Sequence, residues 1–164
     1  MRIFLVRHGD ADAEIPEGLG DEARALTTKA RQTAFSHFAH LTDRMGTLDL
    51  ILTSPLVRAV QTAQILSLAQ KHEGPLRAHR SLLPDMPVGA IETVLSDHVE
   101  ESLVLVGHQP SMGAMAAHLM GLPTFPRHVN PGTVIGLDQP DLESGAPARL
   151  LFFAAPAQAI VESL

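Results

Sequence analysis

Three short stretches carry residues whose types suit work on a phosphate. Arg7-His8-Gly9 closes the opening "RIFLVRHG", Arg58 lies in "LTSPLVRA", and Gly107-His108 ends "SLVLVGH". Arginine keeps its charge at every accessible pH, and its planar fork of donors matches phosphate oxygens. At ~4 Å and an effective dielectric of ~20, each such cation attracts one phosphate charge by roughly 4 kcal/mol before desolvation is subtracted. Neighbouring positive charge disfavours protonation of a histidine, so one ring nitrogen keeps a free lone pair near neutral pH. His8 is therefore a candidate nucleophile, with Arg7, Arg58 and His108 as donors to the oxygens of the group under attack. Gly9 suits a place where the backbone turns and a ligand comes close. The arginines supply the positive charge, so neither a metal nor another cofactor is expected.

For these residues to meet, the elements before them must end at one place. The runs 2–6, 48–54 and 102–108 are continuously apolar, as strands buried on both faces are. Helical patterns separate them, at 28–45 with Thr27 or Thr28 as N-cap, at 55–72 with Ser54 as N-cap and Pro55 at the first helical position, and at 88–100 and 110–120. Two further strands are expected at 133–138 and 148–154, joined by a hairpin-like link, with a short C-terminal helix after them. Alternating strands and helices predict an α/β three-layer sandwich with a mostly parallel central sheet, and ligands then sit beyond the carboxyl ends of the strands. Arg7, His8, Arg58 and His108 all fall at such ends. On helix α-carbons the side chains lean toward the N-terminus, so Arg58 can reach an anion held over the start of its helix.

Composition narrows the function. With 164 residues and 45% apolar content the chain suits one domain spanning 1–164. A formal net charge of −6 argues against broad attraction to nucleic acid or anionic lipid, leaving any anion to be caught locally. The apolar stretch at Met1 to Val6 is too short for a signal-peptide core, and no later run approaches the roughly 18 residues of a membrane span, so a soluble cytoplasmic protein is expected. With no cysteine, thiolate nucleophiles, disulfides and Cys-type zinc sites are absent.

The segments "RHGDA", "LTTKA", "TSPLVRAVQTA" and "VGHQPSMG", in that order, resemble the histidine phosphatase superfamily, with its phosphoglycerate mutase-like fold, and match best the small SixA-like branch. The resemblance implies a phosphatase in which His8 is phosphorylated and Arg7, Arg58 and His108 line the phosphate pocket, without large lid insertions. Arg24, just before "LTT", resembles a further phosphate-contacting position. Many members carry a glutamate that protonates the leaving group; the comparable place after Met86 is Pro87, and Asp85 is the nearby carboxyl that could serve as acid. An alkoxide leaving group needs such an acid, whereas an imidazole can leave a phosphohistidine as the neutral base. The expected partner is therefore a histidine-phosphorylated protein, with a small phosphorylated metabolite, acted on by a phosphomonoesterase or mutase of the same superfamily, as the alternative. A binding module that recognises phosphorylated partners without turnover is a second alternative, against which an intact His8 argues.

Other polar clusters read as ordinary surface. His37 and His40 lack a third ligand, and Asp10, Asp12 and Glu14 lack the later residues of a calcium loop, although Asp10 could orient a site group. Ser111 follows a proline and has no nucleophile-elbow context. Gln61 and Thr62 read as helix surface and packing.

Overall fold

The structure is a computed structural model describing residues 1–164. Six strands form one sheet: β1 (Arg2–Arg7), β2 (Leu50–Thr53), β3 (Leu76–Ala78), β4 (Ser102–Gly107), β5 (Val134–Asp138) and β6 (Arg149–Ala154), in the spatial order β3-β2-β4-β1-β5-β6. The pairs β1/β4, β2/β4 and β2/β3 are parallel, while β5 runs antiparallel to both neighbours. Five helices pack on it: α1 (Thr28–Ala39), α2 (Thr42–Met45), α3 (Val57–Ala69), α4 (Val88–Ser96) and α5 (Ser111–Leu119).

The continuous apolar runs explain why both faces are covered. Successive strand side chains point to opposite faces, so Ile3 and Leu5 of β1, with Leu103 and Leu105 of β4, enter one core with Ile91, Leu95, Met112 and Met115 of α4 and α5. Phe4, Val6, Val104 and Val106 enter the other, with Phe38 of α1 and Ala59, Ala63 and Leu66 of α3. Full burial of such side chains stabilises by roughly 1.5–3 kcal/mol each; Phe38→Ala, at a site with no exposure, should cost about 3–5 kcal/mol. In β5, Gly136 leaves room for the Phe152 ring, whose Cε1 lies only 2.7 Å from where a Cβ would stand. The expected three-layer α/β sandwich is thus the architecture found.

Three details differ from the sequence reading, and the choice it left open between Thr27 and Thr28 as N-cap is resolved. The helix expected over 28–45 breaks after Ala39, with α2 ending at Met45 and capped by Gly46, whose φ of 63° a glycine accepts without strain. The N-cap of α1 is Thr27, its hydroxyl accepting from the Ala30 N–H at 3.0 Å. Helix α3 starts at Val57 with Leu56 at the cap position, so Ser54 and Pro55 precede it. In place of a C-terminal helix the chain turns back, and Val161 pairs with Phe153 of β6. No helix is long and apolar enough to cross a membrane.

Candidate active site

The sheet register places the two histidines. Arg7 of β1 is opposite Gly107 of β4, and the ladder runs one step further, the His8 N–H donating to Gly107 O at 3.0 Å. His8 and His108 therefore leave neighbouring parallel strands in step, with ring centroids 5.0 Å apart and planes tilted by 59°. The next strand is tied in the same way: Ser54 N–H donates to Val106 O at 2.8 Å, and Ser54 Oγ lies 2.8 Å from Nε2 of His108. Ser54, expected as a helix cap, is instead the buried partner of His108, although its Oγ also accepts from the Leu56 N–H at 3.3 Å.

His8 Nδ1 lies 2.6 Å from Gly9 O. A carbonyl only accepts, so Nδ1 carries the proton and the lone pair of the neutral ring is on Nε2. Burial, opposed by that bond and reinforced by Arg58, Arg7 and Arg24, pushes His8 down to about 4. Burial, with His8 and Arg58 adding to it and Asp21 opposing, pushes His108 to about 3. Both rings are neutral near pH 7.

The arginines are held at their tips. Arg7 donates from Nη1 to Val129 O at 2.8 Å; Arg58, 5% exposed, donates from Nη1 to Asp21 O and from Nη2 to Asp21 Oδ2, both at 3.1 Å. The Nε–H of each is buried without a partner. Buried donors are nearly always satisfied, so two orphans on the arginines beside His8 mark donors suited to an anion. Burial also lowers Arg7 from its ordinary value, against the pull of Asp10, but leaves it a cation.

Other expected residues are placed as follows. Arg24 is half-exposed, donating from Nε to Asp21 Oδ1 at 2.7 Å and from Nη1 to Asp12 O at 3.0 Å, and its charge reaches His8. Gly9 is constrained by packing: a Cβ there would stand 3.2 Å from Leu26 Cδ2 and 3.7 Å from the Ala30 Cβ. Its N–H donates to Thr62 Oγ1 at 3.1 Å, and Gln61 Oε1 accepts from the Leu26 N–H at 2.8 Å, so Gln61 and Thr62 fasten the segment after His8 to α3. Asp85 is exposed at a φ of 65° and has no hydrogen bond or ion pair with any of these groups. Outside the cluster, His37 is less solvated than expected, its Nε2 3.2 Å from Ala154 O, and no group of three or more side chains forms a metal site.

Sequence reasoning missed Ser54 as the partner of His108, and Asp21. The aspartate lies in a short 3-10 turn (Asp21–Ala23) and bridges Arg24 and Arg58. A groove of about 460 Å³ starts at Gln109, the residue after His108, and is lined by Gly113 and Ala117 of α5 and by Leu122, Phe125 and Arg127; neither His8 nor His108 lines it.

Comparison with known proteins agrees with this geometry. The model of the histidine phosphatase superfamily (branch 1) matches residues 3–82. A phosphohistidine phosphatase SixA homolog of Haemophilus influenzae is 31% identical over 132 residues, covering 74% of this chain and 78% of that protein. The chain belongs to the histidine phosphatase superfamily. An uncharacterized protein of Picosynechococcus is 38% identical over 120 residues, 71% of each chain. Among solved structures, the protein histidine phosphatase SixA complexed with tungstate superposes with a TM-score of 0.82 over 95% of this chain and 97% of that one, at 23% identity. The protein is accordingly a metal-independent histidine phosphatase with a SixA-like fold.

Proposed function

We propose that this phosphatase acts in the cytoplasm on phosphohistidine in a protein, through a covalent phosphoryl group on His8. The observation that carries the reading is the free Nε2 lone pair of a neutral His8 beside two buried arginine Nε–H donors that have no partner. Nε2 attacks phosphorus as the bond from phosphorus to the substrate imidazole breaks. The electron pair returns to the leaving ring, which, protonated on its other nitrogen, departs neutral. Water then displaces His8 from phosphorus, the electron pair of the broken bond returning to Nε2 and both water protons staying on the released dihydrogen phosphate, and the neutral Nδ1–H tautomer is regained. Arg7 and Arg58 stabilise the equatorial oxygens in both steps, and His108 donates once its ring proton faces the phosphoryl group.

Two features favour phosphohistidine over an alkyl phosphate. No carboxyl is hydrogen-bonded to His8 or His108, and Asp85, the acid expected from the sequence, has no bond to the cluster. The groove that starts at Gln109, the residue after His108, offers a surface for the polypeptide that carries the phosphorylated ring. The SixA homolog named above carries the same activity in its name. The test is twofold. A phosphohistidine protein should transfer an acid-labile phosphoryl label to the wild-type chain and not to His8→Ala. Turnover should be much faster on phosphohistidine than on alkyl phosphates; a preference for alkyl phosphates would overturn the substrate assignment, and absence of label under turnover conditions would overturn the covalent route.

A further inference from the structure

We infer that Asp21 is a positioning residue that pre-assembles Arg24 and Arg58 for the phosphoryl group, an assignment that rests on the phosphate pocket proposed above. The carboxylate uses both oxygens, Oδ1 on Arg24 Nε at 2.7 Å and Oδ2 on Arg58 Nη2 at 3.1 Å, while its backbone carbonyl takes Arg58 Nη1 at 3.1 Å. Arg58 comes from helix α3 and is buried; Arg24 comes from the long loop between β1 and α1 and is held otherwise only at Asp12 O. Asp21 thus joins a loop-borne cation to a helix-borne one that lies 37 residues beyond Asp21 in the chain.

The alternatives for this carboxylate are a proton donor and a competing anion. Its hydrogen bond from Arg24, helped by the charge and bond of Arg58, holds it below the usual carboxylate range, so it is ionised and unsuited to protonate a leaving group. As a competitor it would have to occupy the donors a phosphate needs. It takes the Nη atoms of Arg58 and leaves the buried Nε–H free, on the same guanidinium plane. Without it, two guanidiniums would repel at short range and Arg24 would sample many rotamers, so part of the binding free energy would go to ordering it. Side-chain exposure of 58% at Asp21 makes substitution there mild for the fold.

The experiment measures orthovanadate affinity by calorimetry, alongside kcat and KM on a phosphohistidine protein, for Asp21→Ala, Asp21→Asn, Asp21→Glu, Arg24→Ala and the double variant Asp21→Ala/Arg24→Ala. Vanadate binding should weaken about 10-fold in Asp21→Ala and less in Asp21→Asn, and Asp21→Glu should recover to within about threefold of wild type. The double variant should be little worse than either single one, because residues acting as a unit are not additive. Tighter or unchanged vanadate binding in both Asp21→Ala and Asp21→Asn would overturn the inference in favour of a competing or idle anion. Strictly additive losses would overturn the coupling through Arg24. If the wild-type chain bound no vanadate and formed no phosphoenzyme, the phosphate-pocket reading itself would fail, a result distinct from either.

Discussion

The pocket has two halves built on different principles. His8, Arg7, Ser54 and His108 hang from three adjacent strands whose ladder continues past their ends, and Arg58 sits buried at the start of α3. Arg24 and Asp21 belong to a largely exposed loop, fixed by ion pairs and a few backbone bonds. In the reading proposed above, the strand-borne half holds the atoms that form and break bonds, where a misplacement of about 1 Å is expensive. The loop-borne half supplies charge, whose effect falls off more gently with distance.

That contrast can be broken by substitution. His8→Ala should remove turnover by about 10⁴-fold or more, because the covalent route disappears, measured as phosphate release from a phosphohistidine protein. Arg58→Ala should cost about 10²–10³-fold in kcat/KM, and Arg58→Lys should recover little, since an ammonium cannot both hold Asp21 with two donors and present an Nε–H.

Acidification should test the strand-borne half by itself. His8 has an ordinary value of 6.5 and is pushed to about 4 in the fold, so the unfolded chain takes up its proton first as pH falls. The stability contributed by keeping His8 neutral is complete above about pH 6.5 and is lost between there and about pH 4, on the order of 3 kcal/mol. His108 acts in the same direction to lower pH. Urea melts across this window should show the fall, and titration of the His8 ring followed by NMR should have its midpoint near 4; a midpoint near 6.5 would contradict the buried, cation-flanked site. The smallest effect belongs to the loop: Arg24→Ala should lower kcat/KM by about 10-fold and leave thermal stability within about 0.5 kcal/mol of wild type, measured by steady-state kinetics and calorimetry.

The same division governs what could be read from the residues alone. β1, β2 and β4 were legible because each is an unbroken apolar run, and strand ends in a parallel sheet meet at one edge, which brought His8, Arg58 and His108 together before any coordinates. β3 was not, being three residues and half-exposed, too short for a periodicity. Asp21 left no mark either, since an acid in an acidic loop looks like solvent-facing charge until its contact with Arg58 on α3 is seen. Ser54 was legible as polar at a strand-to-helix junction, where capping is the common role; its bond to His108 depends on the β2/β4 register. In the glutamate-less region the sequence offered Asp85 as the nearby carboxyl; it is exposed, at a φ of 65°, and makes no hydrogen bond with the cluster.

The ladder bond from His8 to Gly107 has a consequence for motion. In many proteins the functional segments open most readily and exchange their amide protons fastest. Here the His8 and Ser54 amides are locked into the central sheet, each on a carbonyl of β4 or its end. Their protons should exchange with solvent only when the whole sheet comes apart, while the Arg24 amide, bonded locally to Asp21 O in an exposed turn, exchanges early. His8, the proposed nucleophile, would then be among the slowest-exchanging residues in the protein, mechanically among the most still.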